Sequence, residues 1–138
     1  MTIAFNFTGK KVLVTGASSG IGLGIAKAFA AAGAELFILA ENAQIFDVAK
    51  ELPGNVTALQ CDISDRAAVT EVLSVITELD VLVNNAAHDD RHNWQDVTEA
   101  YWDERFATNL RHQFFTIQSV ASDMIQKGGG SIVNIGSN

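Results

Sequence analysis

Val12-Leu13-Val14-Thr15-Gly16-Ala17-Ser18-Ser19-Gly20-Ile21-Gly22 is the stretch that decides the fold. A short apolar run leads straight into a glycine-rich turn, and the turn opens a helical pattern. Gly16, Gly20 and Gly22 permit a tight turn, close approach of backbone to a pyrophosphate, and close packing of helix on strand. Free N–H groups and the positive end of the helix dipole then face an anion without any basic side chain. Ser18 and Ser19 can add hydroxyl donors. Strand, glycine turn and helix in that order form a phosphate-binding arrangement, far more specific than glycines alone.

The same alternation continues along the chain. Leu36 to Leu39, Val56 to Leu59, Val81-Leu82-Val83 and Ile132 to Ile135 are further strand candidates. They are continuously apolar, as strands are when helices cover both faces of a parallel sheet. Helical patterns fall near 21–32, 43–52, 65–78 and 103–127. In the last, Phe106, Leu110, Phe114, Ile117, Ala121 and Met124 make one apolar stripe at spacings of three and four. Gly128-Gly129-Gly130 stops it. The order predicts an α/β fold, a Rossmann-type doubly wound parallel sheet with strand order 3-2-1-4-5. The fifth strand ends within three residues of Asn138. Residues 1–138 are therefore expected to be the N-terminal portion of a longer single-domain protein, cut short after its fifth strand.

Composition narrows the partners. Hydrophobic residues make up 48%, with one Pro, which excludes a disordered or fibrous chain. The longest uncharged run, Val12 to Ala26, has 15 residues, short of the about 20 needed to cross a membrane. Nine Lys plus Arg against 16 Asp plus Glu give a net charge of -7, a field that repels nucleic acid and anionic lipid. The single cysteine, Cys61, has no intrachain partner and suits a reducing compartment, so a cytoplasmic location is expected.

The spacing Thr15-Gly16-x-x-x-Gly20-x-Gly22 resembles that of the short-chain dehydrogenase/reductase superfamily, and four further segments match in order. Cys61-Asp62-Ile63 follows the third strand, where the family's Asp contacts the adenine ring. Asn84-Asn85-Ala86-Ala87 is similar to the family's Asn-Asn-Ala-Gly segment, with Ala87 in place of Gly. Asn109 matches the Asn of the long helix. Ser131 to Ser137 resembles the strand-five segment that ends in the catalytic Ser. The resemblance implies an NAD(P)-binding domain whose cofactor contacts are Gly16, Ser18, Ser19, Gly20, Ile21, Gly22, Glu41, Asp62, Ile63, Asn85, Ala86 and Ala87. It also implies a homo-oligomer, a dimer or tetramer, in the complete enzyme. The usual acidic position after the second strand holds Ala40 and the next holds Glu41; with neutral Ser19, nothing there would bind a 2′-phosphate. NAD is expected, NADP less so.

In such enzymes a hydride passes between nicotinamide and a carbinol or carbonyl carbon. A Tyr with a Lys four residues on acts as acid/base, a Ser binds the reacting oxygen, and an Asn positions a water. Ser137 and Asn109 match two of those four. The Tyr and Lys are expected beyond Ser137, so the 138-residue chain alone is expected to be inactive. Tyr101 with Arg105 does not substitute for them: it precedes Asn109, and an Arg cannot be tuned as a Lys can. Tyr101 and Trp102 are read as packing residues, and His112 as structural or interfacial.

His88-Asp89-Asp90-Arg91-His92 is the densest ionisable cluster. Its two histidines lack the helical placement and third ligand of a zinc site, so no metal is expected. His88, together with Ser137, is a candidate substrate contact. Asn85 to His92, Tyr101 to Arg105 and Asn109 to Phe115 are similar to the bacterial NAD-dependent aldose 1-dehydrogenases, which oxidise sugars to lactones. Two alternatives stay open: a 3-oxoacyl or hydroxysteroid-type carbonyl reductase, and a non-catalytic nucleotide-binding or association module.

Overall fold

The computed structural model describes residues 3–137. Ten main elements follow in order: β1 (Lys11–Thr15), α1 (Gly20–Ala31), β2 (Glu35–Ala40), α2 (Gln44–Glu51), β3 (Val56–Gln60), α3 (Arg66–Leu73), β4 (Val81–Asn84), α4 (Glu99–Phe106), α5 (His112–Gln126) and β5 (Ser131–Asn134). The five strands form one sheet in the order β3-β2-β1-β4-β5, every pair parallel. This is the doubly wound arrangement that the alternation of apolar runs and helices predicts.

Alternate residues of the central strands point to opposite faces, and each face has its own core. Val12, Val14, Leu36 and Ile38 pack with Ala26, Ala30, Ile45 and Val48, so α1 and α2 cover one side. Leu13, Phe37, Leu39 and Leu82 pack with Val69, Leu73, Val120 and Met124, so α3 and α5 cover the other. Both faces of the central strands are thus covered, which is why their sequences do not alternate. Edge strand β5 differs, with Ile132 39% and Val133 45% exposed.

At the amino ends of β1, β4 and β5 a single carboxylate ties the sheet together. Asp80 accepts from the Lys11 N–H at 2.8 Å and from Lys127 Nζ at 2.5 Å, with Lys10 Nζ at 3.5 Å. Its own backbone donates to Lys11 O and accepts from the Ser131 N–H. Burial works to raise the Asp80 pKa, but the Lys127 and Lys11 hydrogen bonds and the two lysine charges hold it below the ordinary value.

Two helical expectations need correction. The stretch expected over 65–78 is helical only to Leu73, where the Ser74 hydroxyl turns back to the Glu71 carbonyl at 2.6 Å. The long helix expected over 103–127 begins earlier, at Glu99, because the Thr98 side chain caps it by accepting from the Tyr101 N–H. It is also interrupted by a π turn over Ala107–Arg111. That wider turn rotates everything after it. The apolar stripe therefore forms only part of the buried face: Phe106, Leu110 and Phe114 are exposed, Ile117 packs against the core, and Met124 lies inward with Ala107, His112, Thr116 and Val120. Among the described residues no helix is long and apolar enough to cross a membrane.

Candidate functional site

The turn between β1 and α1 opens at the carboxyl edge of the sheet. Gly20 sits at φ +54° with nothing within 4 Å of where a Cβ would be, so its backbone faces open space in a left-handed conformation. Gly22 is the opposite case. A Cβ there would collide with the Gly16 carbonyl and the Asn85 amide, so only glycine lets α1 approach the loop. Ser19 precedes α1 without a side-chain cap, leaving the helix entrance available to an anion. Ile21 is exposed on the first turn.

The loop is held from behind by β4. Thr15 Oγ1 accepts from the Asn85 and Ala86 N–H groups, both at 3.0 Å. Asn85 Nδ2 donates to the carbonyls of Thr15 at 3.1 Å and Gly16 at 3.2 Å. The Asn85 side chain therefore clamps the glycine turn and does not line the cleft in front of it. Ser18, nearly buried, accepts at its hydroxyl from Asn42 Nδ2 at 3.2 Å.

In front of this turn lies a cleft of about 550 Å³, within the range of small-ligand sites. Gly16, Ser18 and Ser19 form its floor, and Ala40, Glu41 and Asn42 line it after β2. Asp62 and Ile63 line it after β3, and Ala86, Ala87 and His88 after β4. Gln60 Nε2 fixes the Glu41 turn by donating to its carbonyl at 2.9 Å. Asp62 Oδ1 accepts from both the N–H and the hydroxyl of Ser64, which holds this carboxylate at the rim. Glycine turn, uncapped helix entrance and polar walls together fit a dinucleotide. Gly20, Ile21, Gly22 and Asn85 frame the cleft from α1 and β4 without lining it.

Neighbouring Cys61 is free and buried. Burial, with the charges of Asp62 and Asp65, pushes its thiol up to about 11, so it is not a nucleophile near neutral pH.

The far end of the cleft is built by the loop after β4 and by α4. Asn109 lies in the π turn, and its amide engages the backbone of His88 in both directions. Oδ1 accepts from the His88 N–H at 2.7 Å, and Nδ2 donates to the His88 carbonyl at 2.9 Å. Arg105 Nη1 donates to the same carbonyl at 2.9 Å. Asp90 accepts from the Tyr101 hydroxyl at 2.8 Å and pairs with Arg105 at 3.3 Å. The Tyr101 hydrogen bond and the Arg105 charge hold Asp90 below the usual carboxylate range. Desolvation and the Asp90 carboxylate push the Tyr101 phenol up, which disfavours it as an acid/base. Tyr101 is thus a hydrogen-bonding residue, while Trp102 stacks on Phe106 at 4.6 Å at the surface; neither is a core packing residue.

Asp89, Asp90 and His92 bring ligand atoms within 4.8 Å of one another, but all three are exposed. Asp90 is engaged by Tyr101 and Arg105, and His92 Nδ1 lies 2.9 Å from the Asp90 carbonyl. Ser137 lies exposed three residues beyond β5. His112 is 2% exposed, a structural position, and burial lowers its pKa, with the Thr108 carbonyl opposing only in part.

Several residues have roles that the sequence reading does not assign. Asn84 is fully buried; its Oδ1 accepts from the Thr116 hydroxyl at 2.7 Å and its Nδ2 donates to Asn134 Oδ1 at 2.9 Å, joining β4 to α5 and β5. Polar residues at strand ends, as at Thr15, Asn84 and Asn134, were the available signal. Arg105 and Thr108 line the cleft beside His88, and nothing in their spacing distinguishes them from surface residues of a helix.

Residues 10–138 match the family model described as short chain dehydrogenase. The chain is 44% identical over 135 residues to D-xylose 1-dehydrogenase of Caulobacter vibrioides, covering 94% of this chain and 54% of that protein. It is also 44% identical over 135 residues to a probable galactose dehydrogenase of Rhizobium meliloti, covering 91% of this chain and 53% of that one. Among solved structures, a candidate NAD(P)-dependent gluconate 5-dehydrogenase from Beutenbergia cavernae with bound NADP superposes with a TM-score of 0.91 at 33% identity, over 97% of this chain and 56% of that one. The chain spans about half the length of the curated relatives it matches.

Proposed function

The chain belongs to the short-chain dehydrogenases, and from that premise we propose that the protein carrying it oxidises the C1 hydroxyl of an aldose with NAD, yielding a lactone. The observation that carries this reading is the polar character of both ends of one cleft, Glu41 at one and the His88 loop at the other.

Glu41 and Asn42 border the adenosine end, and among the described residues no lysine lines the cleft. A carboxylate there accepts from ribose hydroxyls and repels a 2′-phosphate, which favours NAD. At the other end, His88 and Arg105 present polar groups to the space where a substrate would sit. A steroid or acyl chain against the His88 imidazole would leave it unpaired at a cost of several kcal/mol, roughly, whereas sugar hydroxyls pair with it. The sugar names of the two relatives support the same class.

When bound, NAD supplies the hydride acceptor. In this reading the Ser137 hydroxyl binds the reacting oxygen, and Asn109 fixes the loop that carries His88 and helps order the proton path. Residues 1–138 provide the nucleotide-binding part, the acid/base Tyr and Lys follow it, and the chain alone is inactive. Assembly as a dimer or tetramer in the cytoplasm belongs to the same reading, supported by the exposed apolar Trp102, Phe106, Leu110 and Phe114.

The test is a substrate panel on the full-length protein, followed by NADH absorbance: D-xylose, L-arabinose, D-galactose, L-fucose, an acetoacetyl thioester and a hydroxysteroid. Activity on at least one aldose is expected. Activity confined to the last two refutes the sugar assignment.

A further inference from the structure

Among the described residues, Arg105 is the one charged side chain that borders both the nucleotide cleft and the aromatic hollow beside it, which Trp94, Tyr101 and Phe106 line. Its side chain is only 16% exposed, and its two Nη contacts are hydrogen bonds, whereas Nε is near a carboxylate without the geometry of one. Nη1 donates to the His88 carbonyl, Nη2 reaches Asp90 at 3.3 Å, and Nε lies 3.0 Å from Glu104 Oε2. The guanidinium carbon stacks 5.0 Å from the centre of the Tyr101 ring, whose hydroxyl is bonded to the same Asp90. One planar fork therefore holds two points of a loop, the backbone at His88 and the carboxylate at Asp90. A lysine, a point charge on a flexible stem, lacks this planar two-nitrogen geometry.

We propose that Arg105 is a positioning residue for substrate: its guanidinium sets the His88–Asp90 loop against the substrate end of the cleft and so determines which hydroxylated substrate fits there. Asn109 restrains the same loop only at the His88 backbone, so it leaves the Asp90 side free. Among the described residues, Arg105 alone joins the two. It touches no part of the adenosine end, which α1 and the β2 and β3 turns build from separate elements. A loss of Arg105 therefore weakens substrate recognition and spares nucleotide binding. The proposal rests on the dehydrogenase reading of the cleft.

The test uses the full-length protein and whichever alcohol the wild type oxidises. If that alcohol is not an aldose, the sugar reading has failed, and Arg105 is tested on the alcohol that is accepted. Arg105→Leu is expected to raise the substrate KM at least tenfold while the NAD Kd, measured by calorimetry, stays within twofold. Arg105→Lys keeps the charge over Tyr101 but loses the fork, and is expected to raise KM at least threefold. A substrate KM within twofold of wild type in Arg105→Lys overturns the proposal, as does an equal loss of NAD and substrate affinity in either variant. Should Arg105→Leu fail to fold, the Lys variant decides alone.

Discussion

Asn109 and His88, 21 residues apart, are joined as two strand residues would be: the amide of one accepts from the N–H and donates to the carbonyl of the other. The π turn over Ala107–Arg111 carries the Asn109 amide to that position, and the loop after β4 is thereby fastened to the long helix.

Asn109→Ala should cut both hydrogen bonds at once. Each is worth about 1 kcal/mol net, and the backbone groups of an exposed loop can recover water, so a stability loss of about 1–2 kcal/mol is expected. kcat/KM should fall at least tenfold, because the His88 end of the cleft is no longer fixed. Urea unfolding and steady-state kinetics on the full-length protein check this. Unchanged kinetics would show that the loop's position does not matter to turnover.

The two glycines of the turn should fail in different ways. Gly20→Val forces a β-branched residue into φ +54° and places its methyls in the open space before the helix entrance. A tenfold or larger rise in the NAD Kd is expected, with a stability cost of about 1–2 kcal/mol. Gly22→Ala instead drives its methyl into the Gly16 carbonyl and the Asn85 amide, and should destabilise the loop itself. Calorimetry with NAD, alongside thermal unfolding, separates the two.

Glu41→Arg should shift cofactor choice. The carboxylate is expected to give the wild type at least a tenfold preference for NAD in kcat/KM. Replacing it with a guanidinium removes the repulsion toward a 2′-phosphate and supplies a partner. The preference should narrow at least tenfold. A wild type that prefers NADP would contradict the assignment of this end of the cleft.

Two groups give stability a defined dependence on pH. Asp80 has a folded pKa below its ordinary 3.8, so its contribution is present above that value and is lost as pH falls below it. Asp80→Asn should therefore cost about 1–3 kcal/mol above pH 5, roughly, with the difference from wild type shrinking on acidification below 3.8. His112 has a folded pKa below 6.5, so the unfolded chain binds its proton first and stability declines as pH falls below 6.5. His112→Leu should flatten that decline. Urea unfolding at stepped pH reads both, and a decline unchanged by His112→Leu would assign it to other groups.

The sheet order was legible because Val12 to Val14, Leu36 to Leu39 and Val81 to Val83 are apolar on both faces, a pattern only a covered parallel strand needs. The glycine turn was legible because Gly22 has no substitute that avoids Gly16 and Asn85. The buried face of the long helix was not. A π turn leaves no mark in the spacing of Phe106, Leu110 and Phe114, and the residues that turn inward include His112 and Thr116. Thr116 is there for a tertiary reason, the Asn84 amide, that lies 32 residues away. Arg105 was visible only as a cation four residues after Tyr101. Its partner is a loop whose path depends on Asn109, so its place in the cleft follows from the fold and not from local pattern.

Transfer of the C1 hydrogen is the most direct test of the central claim. The full-length protein would be given NAD and an accepted aldose carrying deuterium at C1, and the reduced cofactor examined by mass spectrometry. The account expects one deuterium in NADH for each lactone formed. Unlabelled NADH, with deuterium retained in the sugar product, would place the oxidation at another carbon and contradict it.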